Sequence, residues 1–463
     1  MMIRRNLKEI QQMVHGKGLV ENLWDEVIIG VSIDTRKILP EQLFIPIKGE
    51  TFDGHDFIDD AIRNGAKATL WNEGKPMPNI DIPFIVVSDT LLALQNLARE
   101  YVNQLQVKII GITGSNGKTS TKDILYDILK MKYRTHKTSG NYNNELGVPL
   151  TVLSMDEETE IAVIEMGMSG LGEISLLCTI AKPDIAIITN STDVHINDLG
   201  SVENILRAKM EIAEGLKESG LLIHYGDSEL LKKAVEGLER KIIKQSFGEM
   251  EDNRYVVKLI STGDDGVYFR VMEEESNVYH LPMLGKHQMY NGTAAIAVAR
   301  YLQISANEIQ RAMFELSVTG MRNEIVHADG FDILNDTYKS NPTSMRAALE
   351  TLYSLNHYTQ KILILGDMYG TGDNEIQNHL RIGEEIDPFQ VDYIFTLGFL
   401  GEYFAKGAAI NFNQDKIITC RSKEELFNGL KQVIQKESII LVKGSRIVKL
   451  EEVVEKLLTL HIE

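Results

Sequence analysis

Cysteine is almost missing from this chain: there are two in 463 residues, Cys178 and Cys420, far apart and at no metal-ligand spacing. A disulfide framework and a cysteine-based metal centre are thereby excluded, and both thiols read as reduced core residues. Long apolar runs are missing as well. No stretch approaches the ~20 residues a bilayer span needs, and the start MMIRRNLKEIQQ has no apolar signal core, so the expectation is a cytoplasmic protein without membrane insertion. Positive charge is in deficit, with 48 Lys and Arg against 66 Asp and Glu, a net charge of −18. Nucleic acid is therefore excluded as a general partner, although a phosphorylated ligand can still be held by a few locally concentrated cations and backbone N–H groups. Repeats and low-complexity tracts are absent too.

What is present is the balance of a globular protein, 43% hydrophobic and 25% charged. At roughly 100–200 residues per domain, the length suggests about three domains. Along the first hundred residues short strands mix with helices: Val27–Ile33 and Leu43–Ile47 read as strands, Phe57–Asn64 as a short helix and Leu91–Leu105 as an amphipathic one. At Val107 the texture changes. Val107–Ile112 is a nearly continuous apolar run, as expected of a strand buried on both faces, and Ile161–Ile164, Ile185–Thr189 and Leu221–His224 follow in alternation with helices. Around Val318–Arg322 the pattern restarts. Strand-like Phe331–Leu334, Lys361–Leu365, Tyr393–Leu397 and Ile439–Val442 alternate with helices such as Ser344–Ser354 and Lys423–Gln435, a Rossmann-like α/β unit.

The most informative segment is Gly111-Ile-Thr-Gly-Ser-Asn-Gly-Lys-Thr119, between the strand at Val107 and the predicted helix Thr119–Lys130. Gly114 and Gly117 let the backbone approach a phosphate, and the helix start offers it free N–H groups and a positive dipole end. Lys118 can reach the β/γ-phosphates and the Thr119 hydroxyl can ligate Mg²⁺. The general phosphate-loop pattern wants a glycine at Ile112; here it stands one place earlier, at Gly111. Glu165 ends the next predicted buried strand, where open α/β sheets hold their ligands, and its carboxylate can serve Mg²⁺ directly or through water.

This loop resembles the ATP loop of the Mur ligase family, which joins amino acids or peptides to cell-wall precursors, and the resemblance extends from about Ser32 to Arg446. It implies a three-domain α/β architecture. A small N-terminal domain (1–100) would bind the uridine nucleotide, a central P-loop ATPase-type parallel-sheet domain (101–318) would bind ATP, and a Rossmann-like C-terminal domain (319–463) would complete the ligase. ATP and Mg²⁺ are the implied cofactors. Gly114, Ser115, Asn116, Gly117, Lys118, Thr119 and Ser120 would form the ATP loop, and Thr119, Glu165, His195 and Lys209 the metal set. His195 follows strand Ile185–Thr189. Lys209 is in Ala208-Lys209, an element whose lysine is often carbamylated in the family, which would turn a cation into a carboxylate. His287 and Asn291, in Gly285-Lys-His-Gln-Met-Tyr-Asn291, would line the adenine side, Arg322 would reach the phosphates and Asp336 would lie near the ribose. Lys118, Glu165, His195, Lys209 and Arg322 are the implied catalytic group.

Asp336-Thr-Tyr-Lys-Ser-Asn-Pro departs from the family's Asp-x-Tyr-Asn-Ala-Asn-Pro at Lys339 and Ser340. At the substrate end, Ser32, Asp34 and Arg36 resemble the uridine-nucleotide site, and Asn141 and Asn143 in a polar loop would face the muramoyl peptide. The diamino-acid-adding branch carries Asp-Asn-Pro-Arg or Asp-Asp-Pro-Arg; this chain has Leu365-Gly-Asp-Met368 there, which resembles the dipeptide-adding branch. Asp367 and His379 are the candidates for contact with the dipeptide. The implied reaction joins D-alanyl-D-alanine to UDP-N-acetylmuramoyl-tripeptide through an acyl phosphate, by a protein expected to act as a monomer. Two alternatives stay open at this point: a ligase of the family with another amino acid or precursor, and a nucleotide-binding regulatory protein without catalysis. No Asn-Lys-x-Asp guanine element is present, which argues against a GTPase.

Overall fold

Runs of β-branched residues alternating with helix formers build three main sheets. They are seen in a computed structural model that describes residues 2–77, 79–192, 196–272, 277–316, 320–370, 372 and 374–462. The first sheet has four parallel strands in the order Val31–Ser32, Leu43–Phe44, Ala68–Asn72, Phe84–Val87. The single strand expected over Val27–Ile33 breaks at Gly30, whose φ of +86° turns the chain. Val27–Ile29 therefore pairs antiparallel with Arg4–Asn6 in a separate ribbon. Helix Thr90–Gln104, capped by the Asp89 carboxylate on the Leu92 N–H at 2.7 Å, buries Leu94, Leu97 and Tyr101 in one continuous core with the central unit.

The second sheet has nine strands. Six of them carry a parallel run in the order Ile243–Gly248, Leu221–Tyr225, Ile185–Ile188, Lys108–Thr113, Ile161–Glu165, Thr135–Lys137. Beyond Ile243–Gly248 the sheet extends through Tyr255–Gly263, Gly266–Val271 and Tyr279–Leu281, the last three paired antiparallel. That extension is a finding against the purely alternating α/β pattern expected from sequence. Strand Tyr255–Gly263 is exposed at the consecutive residues Lys258–Ile260, so it lacks the continuous burial that marks the central strands.

The third sheet has the order Glu324–His327, Phe331–Asp336, Ser438–Lys443, Gln360–Gly366, Tyr393–Leu397, Ile417–Cys420, all parallel except the first. Both edge strands were missed by the hydrophobic pattern, being short and partly exposed. Helix Lys423–Leu430 is shorter than the expected Lys423–Gln435; past Leu430 the chain tightens into turns, with the Val433 N–H on the Leu430 carbonyl at 3.1 Å. Apolar clusters cover both faces of this sheet and of the central one. Cys178 and Cys420 are buried and free, and burial pushes their thiols up to about 12 and about 11. No helix among the described residues is long and apolar enough to cross a membrane. His195 and Val318 lie outside the described residues.

Candidate functional site

Strand Lys108–Thr113 lies between Ile161–Glu165 and Ile185–Ile188, so three parallel strands end side by side. The chain leaves Lys108–Thr113 toward one side of the sheet and crosses to the other side only for Ile185–Ile188. This is the arrangement that opens a crevice at the C-terminal strand ends. The Gly-rich loop fills it. Gly117 caps helix Lys118–Leu129 with φ +83°, and a Cβ there would lie 2.3 Å from the Asn291 Oδ1. Gly114 has φ +146°, and a Cβ there would lie 2.0 Å from the Thr189 Oγ1. Both glycines are thus required by space as well as by backbone conformation. Gly114→Ala is expected to weaken nucleotide binding by about tenfold or more, checked by titration with a fluorescent ADP.

The loop is clamped by the neighbouring strand end, a feature missed in the sequence because it depends on the pairing of Ile185–Ile188 with Lys108–Thr113. The Asn116 N–H donates to the Asn190 Oδ1 at 2.9 Å, and the Thr189 hydroxyl donates to the Asn116 carbonyl at 2.5 Å. The Thr192 N–H donates to the Ser115 hydroxyl at 2.9 Å. Lys118 folds back so that its ammonium donates to the Gly114 carbonyl at 2.5 Å. Burial lowers its pKa, Glu165 opposes that shift and Arg322 adds to it.

Glu165 is 2% exposed. Its carboxylate accepts from the Thr119 hydroxyl at 2.9 Å and from the Asn143 amide at 2.8 Å, and its own N–H donates to the Thr138 hydroxyl. Two of the four expected metal residues, Thr119 and Glu165, are therefore brought together as adjacent oxygen donors. Hard Mg²⁺ is commonly held by one or two carboxylates plus substrate phosphates, and this donor set fits it. Among the described residues no cluster of three or more His, Cys, Asp or Glu exists that would instead form an all-protein metal cage. Lys209 is 1% exposed on helix Val202–Glu214, and its amine has no hydrogen-bond partner among the described residues. Burial, with Lys118 and Lys339 nearby, brings it down to about 7.

The C-terminal unit closes the other wall. A cavity of about 450 Å³ is lined from the central unit by Lys118, Thr119, Glu165, His287 and Asn291 and from the C-terminal unit by Arg322, Asp336, Tyr338, Lys339 and Lys443. Arg322 lies over the Tyr338 ring at 4.2 Å, and its Nε has no partner among the described residues. Asp336 accepts from the fully buried Lys443 ammonium at 2.5 Å. Burial pulls the His287 imidazole down to about 4, so it is neutral at physiological pH. The Asn291 amide donates to the Gln288 side chain at 2.9 Å. Asn341 donates across the junction to the Asn116 Oδ1 at 3.0 Å. Lysine and arginine from both units thus converge in a chain whose overall charge is negative.

The outer candidates are placed differently. Asp34 holds Arg36 by two side-chain hydrogen bonds of 2.9 and 2.8 Å, and this pairing lowers the Asp34 pKa; Ser32 supports the turn through the Asp34 carbonyl at 3.0 Å. Asn143 reaches the cavity, whereas Asn141 is exposed beside it. Asp367 and His379, the dipeptide candidates, are both buried and bonded within the fold. Asp367 is 1% exposed, and its two oxygens accept from the Gly401 N–H at 2.7 Å and the Tyr369 hydroxyl at 2.8 Å. His379 is fully buried; its Nδ1–H donates to the Glu375 carbonyl at 2.6 Å and its Nε2 accepts from the Met368 N–H at 2.9 Å. Through these bonds both residues tie loops at the strand ends together. Asp367→Ala is expected to lower the denaturant stability of the C-terminal unit by about 2–3 kcal/mol, because two donors lose their acceptor, while nucleotide affinity stays unchanged. Lost dipeptide-dependent turnover at unchanged stability would return Asp367 to the substrate.

A clamped Gly-Lys-Thr loop, a buried carboxylate on its threonine and a second α/β unit supplying cations define an enzyme of the nucleotide-phosphate-dependent class. Comparison with known proteins narrows the class. Residues 27–102 match the profile described as Mur ligase family, catalytic domain, residues 112–299 the Mur ligase middle domain, and residues 321–446 the Mur ligase, glutamate ligase domain. The UDP-N-acetylmuramoyl-tripeptide–D-alanyl-D-alanine ligase of Bacillus subtilis is 44% identical over 99% of both chains, and that of Escherichia coli is 32% identical over 94% of both. Among solved structures, a MurF from Acinetobacter baumannii superposes with a TM-score of 0.87 at 28% identity over 99% of both chains. The Thermotoga maritima MurF ligase in complex with ADP gives a TM-score of 0.80 at 29% identity over 92% of this chain and 96% of its own. The chain belongs to the Mur ligase family.

Proposed function

We infer that the protein is an ATP-dependent ligase that joins D-alanyl-D-alanine to UDP-N-acetylmuramoyl-tripeptide in the cytoplasmic stage of peptidoglycan synthesis. The observation that carries this reading is the likeness, at 44% identity and over 99% of both chains, to a relative of that activity. The two-sided cavity supports it, with Lys118 on one wall and Arg322 on the other. The division of labour follows the three sheets: residues 1–100 for the uridine nucleotide, 101–318 for ATP and 319–463 for the dipeptide.

The tripeptide carboxylate attacks the γ-phosphate of ATP, giving an acyl phosphate and ADP, and the dipeptide amine then attacks the acyl carbon and releases phosphate. Lys118 and Arg322 are the donors for the transferring phosphoryl group, aimed from opposite walls so that charge moving between oxygens stays in contact with a cation. Thr119 and Glu165, with His195 and a carbamylated Lys209, would hold Mg²⁺, which supplies charge neutralisation at the phosphates. Asn291, neutral His287 and Asp336 form the adenosine end. Closure of the two walls excludes water, which would otherwise hydrolyse the acyl phosphate. An α-amino group has a pKa of about 7.7–8.0, so roughly a tenth is neutral at pH 7 and no strong general base is demanded.

The test is phosphate release with UDP-N-acetylmuramoyl-tripeptide, ATP and either D-alanyl-D-alanine or single amino acids. Release that requires ATP, the tripeptide and the dipeptide together is expected. Equal rates with a single amino acid would make the protein another ligase of the family, and binding of ATP without any turnover would make it a regulator.

A further inference from the structure

The loop after strand Phe331–Asp336 carries a lysine that the assigned roles leave unused. Lys339 lines the same cavity as Lys118, Glu165 and Arg322. The charged groups that act on it are Lys118, Arg322, Glu165 and Asp198, and it acts in turn on Lys209. Lys339 therefore lies within electrostatic range of the loop lysine and the buried carboxylate.

The backbone that presents it is held from both sides. The Lys443 ammonium, itself fully buried, donates to the Asp336 carboxylate at 2.5 Å and to the Lys339 carbonyl at 2.9 Å. Two residues on, Asn341 caps helix Pro342–Ser354 and donates through its amide to the Asn116 Oδ1 of the phosphate loop at 3.0 Å. Lys339 is thus set between a strand-end clamp and an interdomain bridge. Three basic side chains, Lys118, Arg322 and Lys339, line the cavity with the acids Glu165 and Asp336, and Asp336 is already paired with Lys443, an arrangement that favours a multiply charged anion. Burial and the neighbouring Lys118 and Arg322 bring the Lys339 amine down to about 7, a shift that an incoming anion would reverse.

We propose that Lys339 is a catalytic residue of this chain, a phosphate-contacting cation from the C-terminal unit that binds the terminal phosphoryl group of ATP and remains on it as it passes to the substrate carboxylate. The proposal rests on the nucleotide reading above and adds to it a residue that distinguishes a terminal phosphate from a diphosphate. A contact to the γ-phosphate alone gives ATP, but not ADP, an extra charge-assisted hydrogen bond.

The test compares wild-type protein with Lys339→Met and Lys339→Arg, with Mg²⁺ present, by titration with ADP and with a non-hydrolysable β,γ-imido analogue of ATP. Lys339→Met is expected to lose about ten- to a hundredfold in affinity for the triphosphate analogue and to bind ADP as wild type does; Lys339→Arg should recover most of the difference. In turnover, Lys339→Met should lower kcat with the KM for D-alanyl-D-alanine unchanged. Equal loss for both nucleotides would mark Lys339 as a structural support of the loop and overturn the proposal, as would wild-type affinity for both. Lys118→Ala serves as the reference, since its loop contact affects both nucleotides. A wild-type protein that bound neither nucleotide would remove the nucleotide reading itself, a result separable from any outcome confined to the Lys339 variants.

Discussion

Lys118→Ala is expected to lower phosphate release by roughly 10²–10³, the range for removing one preorganised donor from a developing charge. The lysine is the only side chain of the Gly-rich loop that carries full positive charge, and it stands at the start of helix Lys118–Leu129, where the helix dipole favours an anion. Its ammonium now spends its hydrogen bonds on the Gly114 and Ser115 carbonyls at 2.5 and 3.4 Å. Those carbonyls belong to the loop itself, so the same side chain that would meet the phosphate also holds the loop in shape. A second effect follows from that double role: affinity for ADP and for the triphosphate analogue should fall together in Lys118→Ala, unlike the selective loss expected at Lys339. Near-normal turnover in Lys118→Ala, measured at saturating ATP and with an unfolding midpoint like that of wild type, would remove the phosphate-loop assignment.

The loop was legible in the sequence because its demands are local. A buried strand, two glycines with positive φ and a Lys-Thr pair at a helix start are all contained in Gly111–Thr119, and no distant residue is needed to recognise them. Glu165 was legible for a related reason, since a carboxylate closing a continuous apolar run stands at a strand end whatever the rest of the sheet does. What could not be read is what depends on which strand ends become neighbours. The clamp from Thr189, Asn190 and Thr192 exists only because Ile185–Ile188 pairs with Lys108–Thr113 across more than seventy residues of chain. Lys339 was visible as a departure from the family pattern, but its partners lie on other elements and only the folded chain brings them to it. Asp367 shows the same limit: a polar residue after a buried strand resembles a ligand contact in sequence, and its bonds to the Gly401 N–H and the Tyr369 hydroxyl appear only in the folded chain.

Lys209→Ala is expected to lower turnover about a hundredfold, and the manner of its rescue decides what Lys209 does. An ordinary lysine has a pKa of about 10.4, so fewer than about one amine in a thousand is neutral at pH 7. Burial lowers this one to about 7, which leaves roughly half neutral at that pH. A neutral amine can add to carbon dioxide, forming an N–C bond and losing a proton to give a carbamate. The product is an anion with two oxygens where the unmodified side chain presents one buried nitrogen without a partner among the described residues. Protonation opposes the addition, so the carbamylated fraction should fall as pH drops through about 7, and in buffers purged of carbon dioxide wild-type activity should fall with it. In Lys209→Ala the deleted side chain leaves room for a small molecule to replace it. If a carboxylate is the working group, acetate should restore part of the lost turnover and methylammonium should not. Rescue by methylammonium instead would make Lys209 a fourth basic group in the chemistry, beside Lys118, Arg322 and Lys339, and the carbamate would be discarded. The electrostatics favour the first result: Lys118, Arg322 and Lys339 already supply positive charge at the phosphate end, and a carbamate at Lys209 would supply the negative oxygen ligands that a second Mg²⁺ would need.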